Sequence, residues 1–189
     1  MSQANQDVWA YKTLGENKTY IEIGASRPKR KNNTWNLEVN HGWKGYSIEF
    51  DQMHEKEWKA SERKNPCYWE DAMIFDHNKA LDQNKMNKHV NYVSCDIEPP
   101  ENTFKALQNL IDQGVTFDIL TFEHDKFRNK RKEDQDFDII ATDYLKSKGY
   151  KVAVFNVYGK AEHKIFETWF VREDMDIEPK LYSDWVKSL

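Results

Sequence analysis

The sequence predicts an α/β fold: a mostly parallel, doubly wound sheet of seven strands with an antiparallel edge strand. Three observations carry this reading. Short apolar runs rich in β-branched and aromatic residues alternate with helical patterns along most of the chain. Glycine or proline punctuates the junctions, at Gly24, Gly114, Gly149 and the pair Pro99-Pro100. The last two strand-like runs are joined by a short loop, which suggests the antiparallel edge.

Taken in order, residues 19–25 (TYIEIGA) read as a buried strand ending at Gly24. Residues 34–42 read as a helix with Asn33 as N-cap, and 45–50 (GYSIEF) as the second strand. A polar helix covers about 52–64 and a short strand 66–70, while 72–87 are ambiguous and helical in part. The clearest strand is 90–97 (VNYVSCDI); the prolines after it suit the first turn of a helix over 101–113, which places Phe104, Leu107, Leu110 and Ile111 on one face. Then come a strand at 117–123, a helix at about 133–148, and strands at 150–157 and 166–172. The whole chain reads as one domain with its core at about 19–172. The tail 174–189 carries Met175, Ile177, Leu181, Trp185 and Val186 to pack on the sheet or on a partner subunit. A homo-oligomer therefore stays open.

Composition bounds the rest. A mean hydropathy of −0.93 describes a very polar surface, yet 14% of the residues are aromatic, which argues against disorder. Net charge is −4, which gives no global attraction to nucleic acid. Cys67 and Cys95 form no C-x-x-C pair and read as reduced thiols. No apolar run approaches the ~18 residues of a membrane span and the first ten residues are no signal peptide, so a cytoplasmic location without membrane association is expected.

Chemistry concentrates at strand ends. In a doubly wound sheet, ligands bind at the carboxyl ends of the strands, where strand order reverses. Gly24 ends the first strand and lets a ligand approach the backbone; Glu49 ends the second strand, 25 residues later, and suits hydrogen bonds to ribose hydroxyls. The absence of G-x-G-x-x-G argues against a dinucleotide site. The alternative is a glycine for a tight turn and a surface glutamate. Glu22 is an acid in an otherwise apolar strand, so it needs a partner: it either orients the glycine loop or sits in a buried ion pair. Asp71, followed by Ala72, either accepts from an adenine amino group or caps a helix. A second group is acidic. Asp96 and Glu98 end the fourth strand; Glu123, His124 and Asp125 end the fifth. Adjacent parallel strands bring them to one rim, and such clustering of like charge usually marks a metal or a catalytic site. His124 is a reasonable general base near neutral pH.

These residues carry a family resemblance. GWKGYSIEFD (Gly42–Asp51), NNTWNLE (Asn32–Glu38), SCDIEPPENTFKAL (Ser94–Leu107) and ILTFEHD (Ile119–Asp125) resemble segments of FkbM-type methyltransferases, as do SKGY at 147–150 and FETWFV at 166–171. Order and spacing hold from about residue 19 to 172. The resemblance implies a Rossmann-like class I methyltransferase fold, S-adenosylmethionine as donor, and O-methylation of a sugar, a glycan or another small hydroxylated acceptor. It implies Glu22, Gly24, Ala25 and the following Ser26 as the glycine-loop element, Glu49 as the ribose acid, and Asp71 with Ala72 at the adenine. Asp96 and Glu98 would carry the D-x-E role, with Glu123 and His124 facing the acceptor. One stretch departs: after Gly24 the loop reads Ser26-Arg27-Pro28-Lys29-Arg30-Lys31, with Pro28 where relatives place a glycine. Its cations read equally as partners for an anion or as a solvated loop.

A sugar hydroxyl is a poor nucleophile, so a base or a metal helps. His124 is expected to take the proton while Asp96 and Glu98 orient the acceptor; a divalent cation, if one is used, falls to Asp96, Glu98 and Asp125. Two rivals stand beside this. A metal-dependent nuclease or phosphohydrolase would use the same acidic rim with Lys126 and the basic loop, and a non-catalytic domain would bind an adenosyl ligand only.

Overall fold

The computed structural model describes residues 2–128, 136–159 and 164–189. Among the described residues, eight strands form one sheet in the order β3-β2-β1-β4-β5-β7-β6-β8. The parallel part comprises β1 (Thr19–Ile23), β2 (Lys44–Ile48), β3 (Cys67–Tyr68), β4 (His89–Cys95) and β5 (Thr116–Glu123). β6 (Tyr150–Tyr158) and β8 (Lys180–Leu181) are parallel to each other, and β7 (Ile165–Arg172) runs antiparallel to both β5 and β6.

Two expectations are corrected. The sheet has eight strands, not seven, because the tail adds β8 beside β6. The antiparallel strand is not at an edge: β7 slots between β5 and β6, and its six central residues are all buried. The apolar run FETWFV suits such an interior position, flanked on both sides. A short loop fixes relative direction but leaves open which of the two joined strands lies inside.

Helices cover both faces. α1 (Gln6–Leu14), which had no counterpart in the sequence reading, sets Trp9 and Ala10 against the sheet; its apolar stripe is too narrow to read as a helix signal. α2 spans Trp35–His41, and its N-cap is Thr34, not Asn33. The polar helix over 52–64 is a 3₁₀ turn at Gln52–His54 followed by the short α3 (Glu55–Lys59), in which Trp58 alone is buried. The ambiguous stretch yields α4 (His77–Gln83), with the Asp76 carboxylate accepting from the Lys79 N–H. α5 is Pro100–Asp112 and α6 is Phe137–Ser147, capped by Asp136; residues 133–135 of the helix expected at about 133–148 lie outside the described residues. α7 (Tyr182–Lys187) brings Tyr182 and Trp185 onto Trp169 of the sheet, so the tail packs on its own chain.

Apolar clusters sit on each face. Ile23, Ile48, Val93, Leu107, Leu120 and Phe122 belong to one; Trp9, Tyr20, Leu37, Tyr92, Trp169 and Trp185 belong to the other. The register on the second face matters most. Glu22 pairs with Ser94 and Ser94 with Thr121, so a polar row crosses β1, β4 and β5. One step towards the strand ends, Glu123 pairs with Glu167 of β7, while the Asp96 N–H donates to the Ile23 carbonyl (2.9 Å). β1 lies between β2 and β4, so strand order reverses there and a crevice opens at the strand ends.

Candidate functional site

At that switch point lies a cavity of about 570 Å³, within the range of small-ligand sites. Gly24, Ser26, Glu49, Asp71, Ala72, Asp96 and Glu98 all line it, joined by Phe50 and Met73. Glu22, Ala25, Glu123 and His124 are absent from that lining.

Gly24 is required by the protein's own backbone. It sits at φ +83°, and an added Cβ would come within 1.7 Å of the Asp96 carbonyl oxygen. Close approach of β1 to β4 thus sets this position before any ligand does. Glu49 accepts from the Ser26 N–H (2.7 Å) on one oxygen and from the Asp51 N–H (2.8 Å) on the other. A carboxylate has about four lone-pair sites, so both oxygens can still accept from a diol. Asp71 accepts from the Met73 N–H (2.9 Å), which caps a turn while the residue faces the cavity. Beside them Phe50 is 75% exposed, an apolar ring held at the cavity mouth.

Glu22 has both hydrogen-bond partners and an ion-pair partner. It is buried. Its Oε1 accepts from the Asn33 N–H; its Oε2 accepts from Asn32 Nδ2, Thr34 Oγ1 and Ser47 Oγ at 2.8–3.0 Å. It also pairs with the buried Arg63 at 3.5 Å. Ala25 lies behind the cavity with its carbonyl accepting from Asn32 Nδ2 (3.1 Å). The basic loop folds away from the cavity. Pro28 is buried, Arg27 pairs with Glu57 (3.2 Å), and Lys29 pairs with Glu62 (3.3 Å) over the Trp35 ring.

The acidic rim is real but differently composed. Asp96, Glu123 and Glu167 bring carboxylate oxygens within 4.8 Å of one another, while Glu98 is exposed at the mouth. Asp125 is buried, at φ +47°. Burial and the Asp96 charge push the Glu123 carboxyl far up, and burial also raises Asp96, whose shift the Glu123 hydrogen bond restrains. Two carboxylates this close disfavour each other's ionisation, so the arrangement favours the neutral form of Glu123. Glu167 accepts from Gln6 Nε2 (2.8 Å) and Trp169 Nε1 (2.7 Å), and burial raises it to about 8.

His124 lies in this region without facing the cavity. Its ring is buried; Nδ1 accepts from the Lys126 N–H (3.2 Å) and Nε2 lies 3.2 Å from Thr168 Oγ1. That arrangement makes Nε2 the protonated nitrogen, and Thr168 in turn donates to Asp138 (2.8 Å). Burial holds the imidazole below its usual range despite Asp138 nearby. Lys126 is committed to Asp138 (3.0 Å) and Asp136 (3.3 Å).

Sequence reading missed Arg63, Trp58, Glu167 and Phe50. For Glu167 the signal was present, an acid inside an apolar strand, as at Glu22. Arg63 sits in a polar run that looks like solvated surface.

No family model matches the chain, and no curated protein does. Solved structures do. Sp1610 from Streptococcus pneumoniae, provisionally described as a tRNA (m1A22) methyltransferase and solved in complex with S-adenosyl-L-methionine, superposes with a TM-score of 0.60 at 12% identity, over 94% of this chain and 76% of that one. The sugar N-methyltransferase KedS8 from Streptoalloteichus gives 0.59 at 7%, over 92% and 87%. The N-methyltransferase NodS from Bradyrhizobium japonicum gives 0.55 at 10%, over 90% and 94%. The chain therefore has the α/β fold of the class I, S-adenosylmethionine-dependent methyltransferases. At such identities the likeness carries the fold alone.

Proposed function

We propose that the chain is an S-adenosylmethionine-dependent methyltransferase of the FkbM type, acting on an oxygen of a sugar, a glycan or another small hydroxylated acceptor. The observation that carries this is the cavity at the switch point, where Glu49 with two unfilled acceptor positions faces Asp96 across Gly24. Gly24, Ser26, Glu49, Asp71 and Ala72 would hold the donor; Glu22 and Ala25 support that wall from behind. When bound, the donor supplies an electrophilic methyl group on a sulfonium.

The chain's own residues then have three tasks. Glu49 and the turn at Asp71 bind and orient. Phe50 and Met73 exclude water at the mouth. Asp96 takes the acceptor's hydroxyl proton as the new O–C bond forms and the C–S bond breaks; Glu123 behind it, in its neutral form, steadies the charge. His124 serves the geometry: with both ring nitrogens occupied, it fixes the end of β5 through Thr168 and Asp138.

A second reading has one observation of its own. The Asp96–Glu123–Glu167 cluster offers three oxygen ligands to a hard divalent cation, in place of the Asp96, Glu98 and Asp125 set expected from sequence. A nuclease or phosphohydrolase is disfavoured, because Lys126, Arg27 and Lys29 are each paired with an acid of the protein. Among the described residues no helix is long and apolar enough to cross a membrane.

The test is turnover with labelled S-adenosylmethionine against a panel of sugars. Asp96→Asn should lose roughly 10²–10⁴-fold in kcat. His124→Gln should keep its pH profile and lose stability instead. An unaffected Asp96→Asn variant, or a pH–rate profile erased by His124→Gln, contradicts the assignment. Loss of turnover on chelation selects the cation reading, and donor binding without turnover on any acceptor selects the non-catalytic domain.

A further inference from the structure

Ser26 opens a loop that carries the buried Pro28, and Ser26 lines the cavity while its N–H holds Glu49. Something other than glycine flexibility must shape this loop. The exposed pairs Arg27–Glu57 and Lys29–Glu62 are too open to solvent to do so. Beneath the loop lies the Arg63 guanidinium, with only 1% of its side chain exposed.

Arg63 spends its donors on the loop and on the two elements it spans. Nη1 donates to Asn32 Oδ1 (2.9 Å) and to the Pro28 carbonyl (3.4 Å). Nη2 donates to Thr34 Oγ1 (2.8 Å) and Tyr20 Oη (2.7 Å), and Nε to Glu38 (2.7 Å). Its Cζ lies 4.4 Å from the centroid of the Trp58 ring, whose Nε1 donates to the Ser26 carbonyl (2.8 Å). The guanidinium thus reaches both ends of the loop: residues 28–34 directly, and Ser26 through Trp58. Burial would draw its proton away, but Tyr20, Glu22 and Glu38 hold it more firmly charged than usual.

We propose that Arg63, acting through Trp58, is the positioning residue for the donor loop, setting Ser26 and Glu49 at the cavity wall. Only a planar fork of five N–H groups satisfies acceptors on both sides of the loop; a lysine ammonium has three donors and no plane to stack. The inference rests on the donor reading above.

The experiment measures the affinity of S-adenosylhomocysteine by calorimetry, the melting temperature without ligand, and KM and kcat with donor, for the full chain and three variants. Trp58→Phe keeps a ring beside Arg63 and removes one hydrogen bond to the loop; it should bind about 5-fold more weakly while melting no earlier than Leu145→Ala. Arg63→Lys should bind at least ~20-fold more weakly at a temperature where it remains folded, with donor KM raised and kcat at saturation kept. Leu145→Ala, in the apolar cluster on the other face, should melt earlier and bind normally. Unaltered affinity in Trp58→Phe and Arg63→Lys overturns the inference, as does an equal loss in Leu145→Ala. Absence of binding by the unaltered chain overturns the donor reading, and this inference with it.

Discussion

At the scale of single residues, burial and the neighbouring Asp96 charge favour a neutral Glu123 carboxyl. A carboxyl whose folded pKa is raised keeps its proton where the unfolded chain has released it. Stability contributed below the unfolded pKa is therefore lost as pH rises towards the folded one. For Glu123 that window opens above about pH 4 and runs through neutrality. Glu123→Gln keeps a donor towards Asp96 but cannot ionise. Relative to the unaltered chain its melting temperature should rise steadily from pH 5 to pH 9, at about 2–4 °C per kcal/mol for a chain of this size. Parallel melting curves across that range would show that Glu123 holds no proton in the fold. His124 teaches the complementary lesson. A histidine at a strand end reads as a base from sequence, and only its surroundings reveal that both nitrogens serve the backbone and Thr168.

At the scale of elements, the site is built by strand register. Glu22 and Glu49 were legible because an acid in a buried strand, or at the end of one, needs a reason to be there. Glu167 carried the same signal but lay on a strand expected at the edge, where an acid costs little. Once β7 lies between β5 and β6, the residue opposite Glu123 is buried, and the cluster follows. The loop after Gly24 was legible as an anomaly, but not its resolution, since Arg63 is 37 residues from Ser26 and its burial depends on the fold. Gly24 itself changes meaning. The sequence suggests room for a ligand there, and the Asp96 carbonyl takes that room. Gly24→Ala adds a Cβ in a left-handed backbone against another strand, so we expect a cost of at least about 3 kcal/mol, read as an early thermal transition or failure to fold. An alanine variant with near-normal melting would mean that β1 and β4 are not in this contact.

For the whole molecule, alternation of strands and helices sufficed for the fold, and the parallel half came out nearly as read. What it did not reveal lies where tertiary contact decides. α1 has little amphipathic signal, yet Trp9 meets Trp169 with ring centroids 4.8 Å apart, and Tyr182 of the tail donates to the Ala4 carbonyl (2.9 Å). The two ends of the described chain thus close over the same face that carries the carboxylate cluster, with Gln6 reaching Glu167. The opposite rim, from Gly24 to Asp71, is left open as a cavity. The central claim is that this cavity holds an adenosyl ligand. Calorimetric titration of the full chain with S-adenosylhomocysteine, in the presence of a chelator, tests it most directly. One site per chain is expected, weakened at least ~10-fold by Glu49→Ala, which removes an acceptor of charged hydrogen bonds. Absence of binding, or equal affinity in Glu49→Ala, would contradict it.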